Sequence, residues 1–222
     1  MKRIGRFHLP TSDILFTKHC INKEHTPYGH NFQTKYIAKI VKLSETTGNV
    51  IDAGANVGLF AVAFAKNFNK VFAFEPVPLN NECLVRNVYG YDNIELYDCA
   101  LGSKSGEVEM IGRLNNTGTF KIADKPKPRK GNEICTNILV KPLDDFRFKN
   151  ISCIKIDCEG YEADVLEGAR NTIRKYKPLL CIEFMPIDKG GDQSVHDRTN
   201  KILKTHGYKM IWQGHNDAIF SC

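Results

Sequence analysis

Between residues 32 and 43, apolar side chains recur at Phe32, Tyr36, Ile37, Ile40, Val41 and Leu43, the spacing of one helix face. Gly48 ends that helix. Short runs of different period then alternate. Residues 49–53 form an apolar strand and 57–68 an apolar helix. Residues 70–75 form a strand closing at Pro76, 79–89 a helix and 93–97 a third strand. Strands alternating with helices predict a mostly parallel sheet covered on both faces. The middle breaks this rhythm. Residues 103–122 predict short strands interrupted by Gly106, Gly112 and Gly118. Residues 124–133 carry Pro126, Pro128 and Gly131 and predict a loop, and 134–140 another strand. The alternation then returns with a strand at 151–157, a helix at 162–176, a strand at 179–184 and a helix at 195–205. Strands at 208–212 and 218–221 end the chain and predict an antiparallel hairpin at the sheet edge. Residues 1–30 show little periodicity and are expected to be irregular. The organisation read from this pattern is an irregular segment at 1–30 and one domain at 31–222, with a β and loop insertion at 103–141.

Composition narrows the picture only a little. The chain has 222 residues, enough for one domain with a large core, and its longest apolar runs are too short to cross a membrane. No apolar segment with a cleavage site follows Lys2, Arg3 and Arg6, so no secretory signal is read. The eight cysteines include no C-x-x-C pair, which predicts reduced thiols in a cytoplasmic protein rather than a zinc site. His19, Cys20, His25 and His30 match no familiar ligand spacing. A net charge of +6 tolerates an anionic partner without demanding nucleic acid. Lys121, Lys125, Lys127, Arg129 and Lys130 cluster around two prolines. They read as a solvated loop, or as a lid over an anionic acceptor such as an acidic glycan, a phosphorylated carrier or RNA. No aromatics interleave with them, which counts against a single-strand nucleic-acid platform.

Candidate chemistry starts at the first strand-to-helix turn, Asp52-Ala53-Gly54-Ala55-Asn56-Val57-Gly58. In a sheet of this kind, ligands sit beyond the carboxyl ends of the strands. Gly54 permits a tight turn and close ligand approach, and Gly58 lets the next helix pack closely. Unpaired N–H groups at the helix start would hold the carboxylate of a methionine moiety, with Asp52 placed for its amino group. Glu75 ends the next strand, 21 residues after Gly54, where an acidic residue accepts from ribose hydroxyls. Pro76 follows it. A nicotinamide cofactor needs G-x-G-x-x-G for its pyrophosphate, and Asn56 stands where the second glycine would be. That disfavours an NAD-type oxidoreductase. A turn that binds nothing, in a non-catalytic module on the same fold, is the remaining alternative.

Several separate stretches together resemble the FkbM family of S-adenosylmethionine-dependent methyltransferases. They are Val50 to Gly58, Phe74-Glu75-Pro76-Val77-Pro78 with Asn80, Leu84 and Asn87, and Ala100-Leu101-Gly102 with Gly106. Further along come Leu143-Asp144-Asp145-Phe146, Ile154 to Glu162, and Val165-Leu166-Glu167-Gly168-Ala169, then Pro178 and Glu183. The match covers roughly residues 48–222, and residues 1–30 match nothing. The resemblance implies the class I methyltransferase fold, a Rossmann-like three-layer α/β sandwich. Its seven-stranded, mostly parallel sheet has an antiparallel C-terminal strand, here with the β insertion after the third strand. It also implies methyl transfer to oxygen on a sugar, glycan or natural-product hydroxyl, so the expected partner is a small-molecule or carbohydrate acceptor. Monomer and homodimer both stay open.

Within such an enzyme Lys155, Asp157 and Glu159 are the catalytic candidates. They alternate at the end of the fourth strand and point to one side for as long as the strand continues. Asp157 should lie nearest the methyl group, as a base and cofactor contact, with Lys155 holding it ionised. The plainer reading of Lys155 and Asp157 is a structural ion pair. A divalent ion could bridge Asp157 and a substrate hydroxyl, although no ligand pattern indicates one. Glu162 and Glu183 face the crevice as substrate contacts, but Glu162 also opens a helix, where an acid is favoured anyway. Asp98, Cys99 and Ala100 follow the third strand, where the adenine should lie. Asn116 sits in the polar run Asn115-Asn116-Thr117-Gly118-Thr119, a turn by composition and, by resemblance, a reach over the pocket.

Overall fold

Alternation along each central strand sends side chains to two different cores. Val50, Val71, Cys153, Cys181 and Ile219 point to one face, and Ile51, Phe72, Ile154, Ile182 and Phe220 to the other. The computed structural model describes residues 1–14, 33–123, 131, 133–184, 187 and 191–222. The His19, Cys20, His25 and His30 set and the basic stretch from Lys125 to Lys130 lie outside them.

The chain begins with an antiparallel hairpin of β1 (Lys2–Ile4) and β2 (Phe7–Leu9), where irregular chain was expected. Two alternate residues, Phe7 and Leu9, are fully buried in the first core, and that period of two within a three-residue strand is too short to read as a pattern. There follow α1 (Thr34–Leu43), β3 (Asn49–Ala53), α2 (Leu59–Ala65), β4 (Lys70–Phe74), α3 (Pro78–Asn87) and β5 (Ile94–Tyr97). The insertion comprises β6 (Ala100–Leu101), β7 (Gly106–Arg113), β8 (Asn116–Ile122) and β9 (Glu133–Lys141). A short 3-10 turn at Leu143–Phe146 leads to β10 (Ile151–Ile156), α4 (Glu162–Gly168), α5 (Arg170–Tyr176), β11 (Leu179–Glu183), α6 (Gln193–Thr205), β12 (Lys209–Gln213) and β13 (Asp217–Ser221).

The main sheet runs β12-β13-β11-β10-β3-β4-β5. β13 is antiparallel to its neighbours β11 and β12. One face carries α1 and α2, the other α4, α5 and α6. This is the three-layer class I methyltransferase fold with an inserted sheet, ordered β6-β9-β7-β8. Its small core of Val77, Met110, Phe120, Ile138 and Val140 packs over the start of α3.

The helix expected at 162–176 is two helices that meet at Ala169. At the break, a Cβ on Gly168 would stand 1.9 Å from the carbonyl oxygen of Gly102, so the inserted sheet and α4 touch backbone to backbone. The polar run at 115–119 is also not a turn as a whole: β8 starts at Asn116 and the chain reverses just before it.

Candidate active site

The turn after β3 carries three left-handed residues, Gly54 (φ 78), Asn56 (φ 51) and Gly58 (φ 91). Asparagine is among the few side chains that accept that region, which explains its use between two glycines. A Cβ at Gly54 would lie 1.9 Å from the Asp157 carbonyl oxygen, so the two strand ends close on each other only through glycine. The peptide N–H groups of Gly54 and Ala55 donate to the Phe74 carbonyl, tying the turn to the end of β4. Glu75 completes that tie. One carboxylate oxygen accepts from the Asn56 N–H at 2.8 Å and the other from the Val77 N–H at 2.9 Å. Each oxygen keeps a second lone pair. Burial pushes the Glu75 carboxyl up to about 7, against the pull of the Val77 and Asn56 hydrogen bonds.

Around this turn opens a cavity of about 260 Å³, walled by Gly54, Ala55, Asn56, Glu75 and Pro76 on the sheet side and by Thr117, Gly118 and Phe120 of β8 opposite. Ala100 lines it as well. Two acceptor atoms in its wall, Asn56 Oδ1 and Asn80 Oδ1, are buried without a hydrogen-bond partner among the described residues. Asn80 is 2% exposed, and such an atom is costly unless a ligand donor satisfies it.

At the floor, Lys155 is almost wholly buried. Its Nζ stands 3.1 Å from Asp52, 3.4 Å from Asp157 and 2.9 Å from the Gly54 carbonyl, which it caps. Burial alone would lower the ammonium's pKa, but Asp52 and Asp157 outweigh it and hold Lys155 above its ordinary value. Asp52 itself is fully buried and touches neither cavity. It is therefore the counter-charge beneath the turn rather than the expected partner of an amino group.

Beside Asp157 the carboxylates converge. Ligand oxygens of Asp157, Glu159 and Glu183 lie within 4.8 Å of one another, a spacing that one divalent cation could bridge. β10 ends at Ile156, so the alternation expected through Glu159 stops there. Glu159 reaches the cluster through a left-handed turn instead (φ 51). Burial, then Asp157 and Glu159, push Glu183 up to about 11. Burial, then Asp157, pushes Glu159 up to about 8 and Asp217 up to about 7. Asp217 was not among the expected site residues. It opens β13, opposite Glu183 in register. An antiparallel strand brings its first residue, not its last, to the carboxyl edge of the sheet, and that rule is the signal that would have found it.

A second cavity of about 770 Å³ adjoins the first. Asn116, Thr119, Ile122, Glu159, Tyr161 and Glu183 line both. Glu162 lines only the second, and its carboxylate accepts from the N–H groups of Gly160 (2.9 Å) and Cys158 (3.3 Å). Its helix-opening role thus accounts for it. Gly58 borders neither cavity: a Cβ there would meet Leu84 at 2.6 Å, so it serves helix packing. Asp98 and Cys99 also border neither, and Cys99 is buried in the core beneath. Of that trio, Ala100 alone reaches the first cavity, since the chain turns into β6 there.

Comparison with known proteins agrees with this geometry. The family model described as the methyltransferase FkbM domain matches residues 52–210. Methyltransferase 1 of Beauveria bassiana is 26% identical over 144 residues, which are 54% of this chain and 57% of that protein. Methyltransferase sdnD of Sordaria araneosa is 26% identical over 153 residues, 54% of this chain and 59% of that protein. The chain thus spans less than two thirds of the length of these curated relatives. In fold it is similar to the crystal structure of methyltransferase FkbM from Methylobacillus flagellatus, with a TM-score of 0.57 and 21% identity over 80% of this chain and 44% of that one. The precorrin-8w decarboxylase of Methanobacterium thermoautotrophicum matches at a TM-score of 0.52 and 11% identity over 97% and 99% of the two chains. The glycine turn, the carboxylate tied to it and the family match over most of the domain converge: the chain belongs to the FkbM methyltransferase family.

Proposed function

We propose that the chain transfers the methyl group to oxygen, on a hydroxyl of a sugar, glycan or small natural product. The observation that carries this reading is the junction of the two cavities, where Glu159 and Glu183 line both and Asp157 stands at the floor of the first. The first cavity would hold the cofactor. Glu75, with its free lone pairs, would accept from the ribose hydroxyls. The orphaned oxygens of Asn56 and Asn80 would take further donors, and Gly54 and Ala55 would lie against the methionine portion. The cofactor supplies a methyl carbon already activated on a sulfonium.

What remains for the protein is alignment, exclusion of water and removal of a proton. Asp157 is the base. Its side chain is 30% exposed, within reach of an acceptor, and Lys155 stands at 3.4 Å. It would take the acceptor's hydroxyl proton as the methyl–oxygen bond forms and the methyl–sulfur bond breaks, leaving a neutral thioether, and Glu183, its carboxyl pushed up to about 11, would keep a second negative charge out of the cluster. Glu159 and Glu183 would bind the acceptor from the second cavity, together with Asn116 and Tyr161. Among the described residues, carboxylates rather than cations dominate the junction, which supports a small polar acceptor over nucleic acid. No helix among the described residues is long and apolar enough to cross a membrane. A cytoplasmic site of action belongs to the same proposal, supported by eight cysteines that include no C-x-x-C pair.

Mass spectrometry of sugars, glycans and hydroxylated natural products incubated with methyl-labelled cofactor tests the reaction. Labelled methyl ethers are expected, and label confined to amines would sink transfer to oxygen. On a labelled acceptor, Asp157→Ala should lower turnover about a hundredfold or more while leaving cofactor affinity within a few-fold. Intact turnover would overturn the assignment of the base.

A further inference from the structure

Strand β8 is the partition between the two cavities, yet it is an edge strand of the inserted sheet. Among the described residues it pairs only with β7, and the register slips between Ile111 and Arg113. Paired positions fall at Asn116, Lys121 and Ile122. The stretch between them, which faces the cofactor cavity with Thr117, Gly118 and Phe120, gains its hold elsewhere. Thr117 is buried, and side chains from outside the sheet take its backbone groups. Its N–H and its hydroxyl both donate to Asp13 Oδ2 at 2.7 Å, and its carbonyl accepts from Asn80 Nδ2 at 3.0 Å.

Asp13 is fully buried although it lies only 13 residues into the chain. Its own segment is anchored on both sides. The Asp13 N–H donates to the Pro10 carbonyl, the Lys2 ammonium donates to the Asp13 carbonyl, and the Ile14 N–H donates to the Asn115 carbonyl at 3.1 Å. The hairpin before it is fixed in turn: Asn87 of α3 accepts from the His8 N–H at 2.6 Å and donates to the His8 carbonyl at 2.8 Å. The same Asn87 amide donates to the Val57 carbonyl in the glycine turn at 2.8 Å. A continuous path of hydrogen bonds therefore runs from the cofactor turn through Asn87 to the hairpin, and the Asp13 carboxylate ends it on the opposite wall.

We infer that Asp13 is a positioning residue for methyl transfer: through Thr117 it sets how closely the β8 wall stands over the cofactor cavity. It touches neither cavity itself. A carboxylate suits the task because one oxygen accepts both the N–H and the hydroxyl of a single residue and so fixes its φ and χ1 together. Asparagine can present an oxygen of the same reach, whereas alanine leaves a buried N–H and hydroxyl unpaired.

This inference rests on the reading that the first cavity holds the cofactor, and Glu75→Ala tests that reading separately. Affinity for S-adenosylhomocysteine, measured by titration calorimetry well below each variant's melting point, should fall about tenfold in Asp13→Ala and return to within about threefold in Asp13→Asn. A loss of stability alone would not change the affinity of the folded fraction. Asp13→Ala binding like wild type despite a lower melting point would overturn the inference, as would Asp13→Asn binding as weakly as Asp13→Ala. If Glu75→Ala left affinity unchanged, the cavity reading would fail instead. Should Asp13→Ala not fold, amide exchange in the wild-type chain decides: saturating S-adenosylhomocysteine should slow exchange at residues 117–120, and unchanged exchange there overturns the proposal.

Discussion

The two cavities that meet at Glu159 and Glu183 are built in opposite ways. The wall of the first nearest the sheet comes from consecutive residues at the ends of two adjacent parallel strands, Gly54 to Val57 and Phe74 to Val77. The second draws on the inserted sheet, the turn after β10, the end of β11 and α6, stretches far apart in the chain. Backbone geometry and Gly54 make that wall of the first, so little in it can vary. Side chains make most of the second, so its chemistry can change without disturbing the frame. A shared cofactor and a variable acceptor ask for that division.

The sharpest way to break the comparison is at Gly54. A methyl group there would collide with the Asp157 carbonyl at 1.9 Å and would force an alanine into φ +78. Gly54→Ala should abolish cofactor binding, a loss of about a hundredfold or more read by calorimetry, because neither backbone can retreat. Next in size is the cation beneath the turn. Lys155→Met leaves Asp52 buried without its counter-charge and should cost roughly 3–5 kcal/mol in chemical denaturation. Glu75→Ala comes third. It strips two backbone N–H groups of their acceptor, and cofactor affinity should fall about ten- to a hundredfold, with acceptor KM unchanged. If acceptor KM rose equally, the two cavities would not be separable.

The smallest effect sharpens the second cavity's side. Glu159, Glu183 and Asp217 hold their protons more tightly folded than unfolded, so the folded protein binds more protons and its stability falls as pH rises through that range. For Glu159 the window runs from its ordinary value near 4.5 to about 8. The cofactor-free melting temperature should therefore decline between about pH 5 and 8, and Glu159→Gln should flatten part of that slope. A slope identical to wild type would show that the carboxyl cluster does not share its charge in this way.

The same contrast decides what could be read without coordinates. Gly54, Asn56 and Glu75 stand in adjacent strand-turn units, and local spacing was enough to bring them together. Ala100 was expected against the cofactor together with Asp98 and Cys99, but a two-residue strand cannot be phased from its pattern, so which residue faces inward was hidden. Lys155 and Asp157 read first as catalytic residues, with an ion pair as the alternative, and the geometry sets Lys155 at 3.4 Å from Asp157, a distance that suits either role. Asp52 looked available because it begins a ligand-binding turn. Its register opposite Lys155 on the neighbouring strand takes it inward, and only the sheet order sets that pairing. Asp13 and Asp217 carried no local signal at all, because their neighbours are 104 and 34 residues away along the chain. Long-range contacts of that kind depend on topology rather than period.

The contact between Gly168 and Gly102 bears on how such an enzyme could be redirected. It sets the end of β6 against α4 backbone to backbone, beside the Ser103 hydroxyl that donates to Asp164, and any side chain at residue 168 would force the two apart. The span of the proposed acceptor chamber is then set at this contact rather than by the residues that line it. Selection in the laboratory at Arg113, Thr119 or Tyr161 would exchange what the chamber recognises but leave its breadth untouched. Admitting a bulkier acceptor would instead require a longer connection between β5 and β7, a change of chain length rather than of residue.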